Sequence, residues 1–203
     1  MAAAFLALGD SYTIGEGVAP GERWPAQLAA RLRNEAVDIA DPQIIATTGW
    51  TTDELSAAMD AASFAPPHDL VTLLIGVPHP YRGRTLAAYR AQFHVLLQRA
   101  AALAGGNAGH VITVSIPDWG VTPFAAREGR DASVVAREID AFNAAAAAEA
   151  REVGANWVDV TTISRAPGSR GELVADGLHP SGAQYARWVE AILPSARGVL
   201  VNA

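Results

Sequence analysis

Two short segments hold residue types that could share a proton. Near the start of the chain an apolar run leads into Gly9-Asp10-Ser11-Tyr12, and near its end stands Asp176-Gly177-Leu178-His179-Pro180. A neutral imidazole takes the proton of a serine hydroxyl only if one ring nitrogen is free and the other is held. A carboxylate does the holding and stabilises the imidazolium that forms. Asp176 and His179, three residues apart on one turn, can make that contact locally. Ser11, just after a buried strand and ahead of Gly15 and Gly17, suits a sharp strand-to-helix turn whose unpaired N–H groups face a developing negative charge. Each segment also has a plainer reading: Ser11 as an ordinary helix N-cap, and the DxxH run as a surface turn with an incidental histidine.

The elements that must position these residues alternate along the chain. Residues 4–8 are a short apolar run that suits a buried strand, and residues 24–34 (WPAQLAARLRN) have helical spacing, with Pro25 acceptable in a first turn. Residues 44–46 and 70–75 read as further strands, and 85–103 as a long helix stopped by Gly105-Gly106. Residues 110–116 (HVITVSI) form the clearest strand, closed by Pro117. Residues 134–153 form an alanine-rich helix ending at Gly154, residues 156–160 a fifth short strand, and 180–193 a last helix. Strand and helix in alternation predict an α/β fold over residues 1–203 as a single domain. The expected architecture is a three-layer α/β/α sandwich around a parallel sheet of about five strands. In such sheets the working residues stand at the carboxyl ends of the strands, which here means residues 9–11, 47–50, 76–81 and 116–120.

Composition narrows the function classes. A formal charge of −6, with all 15 basic residues arginine, shows no basic patch of the kind a nucleic-acid binder needs. The absence of cysteine excludes disulfides, thiolate catalysis and zinc–thiolate sites. No apolar stretch reaches the roughly 18 residues of a membrane span. The opening MAAAFLALGDS has no basic n-region. The expected location is therefore cytoplasmic, or exported with the leader absent from this sequence.

Taken together, a GDS block near one end and a DGLHPS block near the other resemble the SGNH hydrolases, the GDSL esterase and lipase family; the motifs run in order from residue 8 to residue 181. The resemblance implies a flavodoxin-like sheet, Ser11 as nucleophile, His179 as general base and then acid, and Asp176 as the group orienting His179. It further implies an oxyanion hole made by the backbone N–H of Ser11, that of a glycine after the second strand, matched by Gly49, and an asparagine from a G-x-N motif. That motif falls on Gly76-Val77-Pro78, so this sequence departs from the family at Pro78. Proline has neither a side-chain donor nor an N–H. One missing oxyanion donor typically lowers turnover by about 10²–10³, against a total acceleration of about 10⁶ or more, which predicts a weakened enzyme rather than a dead one. His79 offers an imidazole N–H one residue along, where an extended chain points it the opposite way.

Tyr12, Trp50, His79, Tyr81 and Trp119 flank the strand ends and suit either an acyl or aryl pocket or aromatic caps on the core. His68, His94 and His110 have no motif context and read as surface or strand-edge residues. The expected activity is hydrolysis of a small-molecule ester with no metal and no cofactor. The chain lacks an insertion long enough for a large lid, which points to short or aryl-linked acyl groups. Acyl transfer to an alcohol on the same site, a non-catalytic relative that has lost its oxyanion asparagine, and a designed loop variant remain open alternatives.

Overall fold

The structure, a computed structural model, describes residues 1–77 and 83–201. Among them five strands, β1 (Phe5–Gly9), β2 (Gln43–Ala46), β3 (Leu70–Leu74), β4 (Val111–Val114) and β5 (Asn156–Val158), form one sheet in the order β2-β1-β3-β4-β5. Every pairing is parallel. Gly9 pairs with both Ala46 and Leu74, so the carboxyl ends of β1, β2 and β3 finish level on one rim.

Both faces of the sheet are apolar, as a parallel sheet covered on both sides requires. Alternation along β1 sends Phe5 and Ala7 to one side and Leu6 and Leu8 to the other. The first side is covered by α2 (Trp24–Asn34) and α8 (Gly182–Val201), through Leu28, Leu32, Tyr185, Trp188 and Ile192. The second is covered by α3 (Thr52–Ala61), α4 (Leu86–Leu103) and α6 (Ala132–Val153), through Leu55, Phe93, Leu97, Ile139 and Phe142. Three short helices, α1 (Ser11–Ile14), α5 (Pro123–Arg127) and α7 (Thr161–Arg165), lie at strand ends or in connections. The expected three-layer α/β fold is the one observed.

Several boundaries differ from the sequence reading. The last helix starts at Gly182 rather than Pro180, because Pro180 pairs with Leu173 in an antiparallel bridge. It also runs through Pro194 to Val201. An interior proline costs about 3 kcal/mol, but Trp188, Ile192, Ala196 and Val199 continue one buried stripe across it, and that packing outweighs the loss. The fifth strand stops at Val158 because Val160 N–H turns to Ser115 Oγ and the Asp159 carboxylate accepts the Thr161 N–H at the start of α7. α3 was not anticipated, although Thr51 and Glu54 spell a capping box: Thr51 N–H donates to Glu54 Oε2 at 2.8 Å.

Candidate active site

In an order that runs 2-1-3-4-5 the chain switches direction between β1 and β3, and the crevice at their carboxyl ends is where ligands of such sheets bind. Ser11 stands there. Asp10, in extended geometry, caps α1 by accepting the Tyr12 N–H at 3.1 Å, which makes Ser11 the first helical residue. Its own N–H thus falls among the first-turn donors that have no partner inside a helix.

The other half of the site is the tip of a hairpin. Ser181 N–H donates to Glu172 O at 2.8 Å and Val174 N–H to His179 O at 2.9 Å, closing residues 172–181 on themselves. At the tip, Gly177 takes φ +69°, a left-handed conformation that side chains disfavour. The chain thereby folds back so that Asp176 Oδ1 accepts the N–H groups of Leu178 at 2.7 Å and His179 at 3.0 Å. Asp176 Oδ2 is 2.7 Å from His179 Nδ1, and His179 Nε2 is 2.9 Å from Ser11 Oγ.

These contacts assign the tautomer. An ionised carboxylate only accepts, so Nδ1 carries the proton toward Asp176, and Nε2 presents its lone pair to the Ser11 hydroxyl. Burial pushes the Asp176 carboxyl upward, but the hydrogen bonds from the His179 ring and from the His179 and Leu178 amides outweigh it and hold the group below its usual range. Asp176 is therefore ionised near neutral pH. Ser11 and His179 are 7% and 5% exposed, whereas the Asp176 side chain is 40% exposed, so the Ser11–His179 contact is sheltered and the carboxylate end is wet.

Two neighbours complete the immediate surroundings. The Tyr12 ring lies 5.0 Å from the His179 ring and stacks on Trp188 at 6.1 Å, backing the imidazole with the core. Asp10 is fully buried; Oδ2 has no hydrogen-bond partner among the described residues. Burial drives its carboxyl up to about 7, against the pull of the Tyr12, Val77 and Gly76 amides, which favour the anion without closing a bond on Oδ2.

Gly49 is the third residue of a turn in which Trp50 N–H donates to Thr47 O at 3.3 Å, and its φ of +83° requires glycine's freedom. The turn is tied to the loop after α1 by a hydrogen bond from the Thr48 hydroxyl to the Glu16 carboxylate. No acceptor among the described residues takes the Gly49 N–H. Pro78, His79 and Tyr81 lie outside the described residues. Trp50 is half-buried against the α3 and α4 side of the core. Trp119 is buried, with the Arg130 guanidinium 5.4 Å from its ring centre.

Residues 7–187 match the model of the GDSL-like lipase/acylhydrolase family. The chain belongs to that family. No curated protein matches it. Among solved structures it is similar to TesA, with a TM-score of 0.75, 24% identity, and 97% of this chain and 99% of that one covered. It is also similar to a lipase/acylhydrolase from Enterococcus faecalis, with a TM-score of 0.76 and 19% identity over 98% and 97% of the two chains. A third is an Axe2 mutant, an acetyl-xylooligosaccharide esterase from Geobacillus, with a TM-score of 0.71 and 19% identity over 96% and 94%. At these identities the likeness is one of fold, and the family assignment makes the protein an esterase- or lipase-type hydrolase.

Elsewhere the structure departs from the sequence reading. His68, read as a surface or strand-edge residue, stands just ahead of β3 and is buried there, its Nδ1 3.2 Å from Leu103 O. His94 pairs through Nδ1 with buried Glu149 at 2.7 Å, 55 residues away. Among the described residues no group of three or more histidines and carboxylates is gathered for a metal ion, and no helix is long and apolar enough to cross a membrane. The sequence reading also gives no helix at α5, although Thr122-Pro123 is a legible helix start.

Proposed function

We propose that the protein is a serine esterase that cleaves small acyl or aryl esters through an acyl-enzyme on Ser11. The observation that carries this reading is the unbroken path Ser11 Oγ to His179 Nε2 at 2.9 Å and His179 Nδ1 to Asp176 Oδ2 at 2.7 Å. As the Ser11 oxygen attacks the ester carbonyl carbon, His179 Nε2 takes its proton, and the ionised Asp176 stabilises the imidazolium. The carbonyl oxygen becomes an oxyanion and accepts hydrogen bonds from the N–H groups of Ser11 and Gly49. His179 returns the proton to the leaving alcohol or phenol. It then takes one from the water that attacks the acyl-enzyme and passes it to the departing Ser11 Oγ as the acyl–oxygen bond breaks, releasing the acid and restoring the Ser11 hydroxyl.

The burial of Ser11 and His179 supports this chemistry, since a sheltered imidazole and hydroxyl interact more strongly than they would in water. The absence of an amide side chain at Pro78 predicts slow turnover, because only two of the family's three oxyanion donors remain.

Hydrolysis of p-nitrophenyl acetate by the unsubstituted chain and by Ser11→Ala tests the reading. The expected result is measurable turnover that Ser11→Ala abolishes. An unchanged rate in Ser11→Ala would end it.

A further inference from the structure

The hairpin tip that carries Asp176 and His179 is gripped from outside by α5. Two consecutive carbonyls of the tip accept from this one short helix. Arg127 Nη2 donates to Asp176 O at 2.6 Å, and Phe124 N–H donates to Gly177 O at 3.0 Å. The packing between them is close: a Cβ on Gly177 would lie 3.2 Å and 3.4 Å from the two terminal nitrogens of Arg127, and 3.4 Å from Pro123 Cβ.

The need for such a grip follows from how Asp176 is held. Its Oδ1 bonds run to Leu178 and His179 N–H, within the same tip. They fix the carboxylate relative to the turn, and not the turn relative to Ser11. With 40% of its side chain exposed, Asp176 also lacks the packing that would lock it in place. Arg127, 49 residues away and exposed, contributes a charge-assisted bond from outside the tip to the Asp176 carbonyl.

We propose that Arg127 is a positioning residue for the proton relay, holding the backbone of the tip at Asp176 from outside and through it the placement of the tip, with His179, relative to Ser11. The inference rests on the esterase reading above. Arg127 makes no hydrogen bond to Ser11 or His179 among the described residues, and its guanidinium bonds to the Asp176 carbonyl rather than to the carboxylate. It therefore acts on geometry. The Phe124 amide keeps its hold on Gly177 when Arg127 is replaced, so the loss is partial.

Arg127→Ala and Arg127→Lys, assayed on p-nitrophenyl acetate beside Ser11→Ala, test the assignment. Small displacements of reacting groups cost up to about 10²-fold, so Arg127→Ala is expected to lower kcat roughly 10-fold. KM should stay within about twofold, and the thermal midpoint should not move. Arg127→Lys, which keeps a cationic donor able to reach one carbonyl, should recover most of the lost kcat. The assignment is overturned by a kcat in Arg127→Ala close to that of the unsubstituted chain, by a loss that appears in KM, by a fall in thermal midpoint that accounts for it, or by a lysine variant no better than alanine. Activity surviving in Ser11→Ala would instead overturn the esterase reading, and this inference with it.

Discussion

His179 Nε2 meets Ser11 Oγ at 2.9 Å across 168 residues of sequence, while Asp176 reaches the same ring from three residues away. The two contacts differ in environment as well as span. The serine end is sheltered and the carboxylate end is open to water, which can partly replace a lost carboxylate there. His179→Ala should therefore cost about as much kcat as Ser11→Ala, and Asp176→Ala roughly 10–100-fold less. Steady-state kinetics on p-nitrophenyl acetate decide it. Equal losses for all three would mean that water does not substitute for the carboxylate.

Asp10 gives a prediction about stability. Its folded-state carboxyl is raised by burial from 3.8 to about 7, so between those values the folded protein holds a proton that the unfolded chain releases. Stability from this group must then fall as pH rises from about 4 to 7 and level off above, with about 4 kcal/mol as the order of the full effect. Asp10→Asn keeps an oxygen to cap Tyr12 N–H and removes the ionisation. Urea midpoints at pH 5 and pH 8 should converge in the variant and differ in the unsubstituted chain. The same spread in both proteins would show that Asp10 is not the group responsible.

The legible part of this protein was its periodicity and its punctuation. β1 and β3 were readable as short continuous apolar runs because both sheet faces are covered, and α6 as an alanine-rich run stopped by Gly154, although it starts at Ala132 behind the Asp131 cap rather than at residue 134. The proximity of Ser11 to His179 had to come from the resemblance of the two motifs, since nothing local in either segment encodes a contact 168 residues long. The same limit hid Arg127, whose partner is a backbone carbonyl, and a carbonyl carries no residue identity that a sequence could reveal. The run of the last helix through Pro194 was hidden for a different reason. Local propensity argues for a stop there, and only the tertiary packing of Ala196 and Val199 overrides it.

Gly49 offers a separate probe of the proposed oxyanion hole. An alanine at φ +83° is strained by about 1 kcal/mol, and relief of that strain rotates the peptide that carries its N–H. Gly49→Ala is expected to lower kcat by up to about 10²-fold with little change in KM, because the donor acts on charge that develops only in the transition state. A kcat that stays put while the thermal midpoint drops would remove Gly49 from the oxyanion hole and leave it as a turn residue.

Position 78 completes the same argument from the sequence side. The resemblance calls for an asparagine donor there, and Pro78 supplies none. If the proposed hole works with the Ser11 and Gly49 N–H groups alone, restoring the third donor should raise the rate by about 10²-fold, the usual worth of one such group. Pro78→Asn on p-nitrophenyl acetate measures this directly, with the gain expected in kcat and abolished again by a second substitution, Ser11→Ala. A further gain in Pro78→Asn with His79→Ala would show that the histidine had been obstructing the restored amide. No gain in Pro78→Asn, with Ser11 still essential, would mean that another donor already meets the oxyanion and that the enzyme is not weakened at this position.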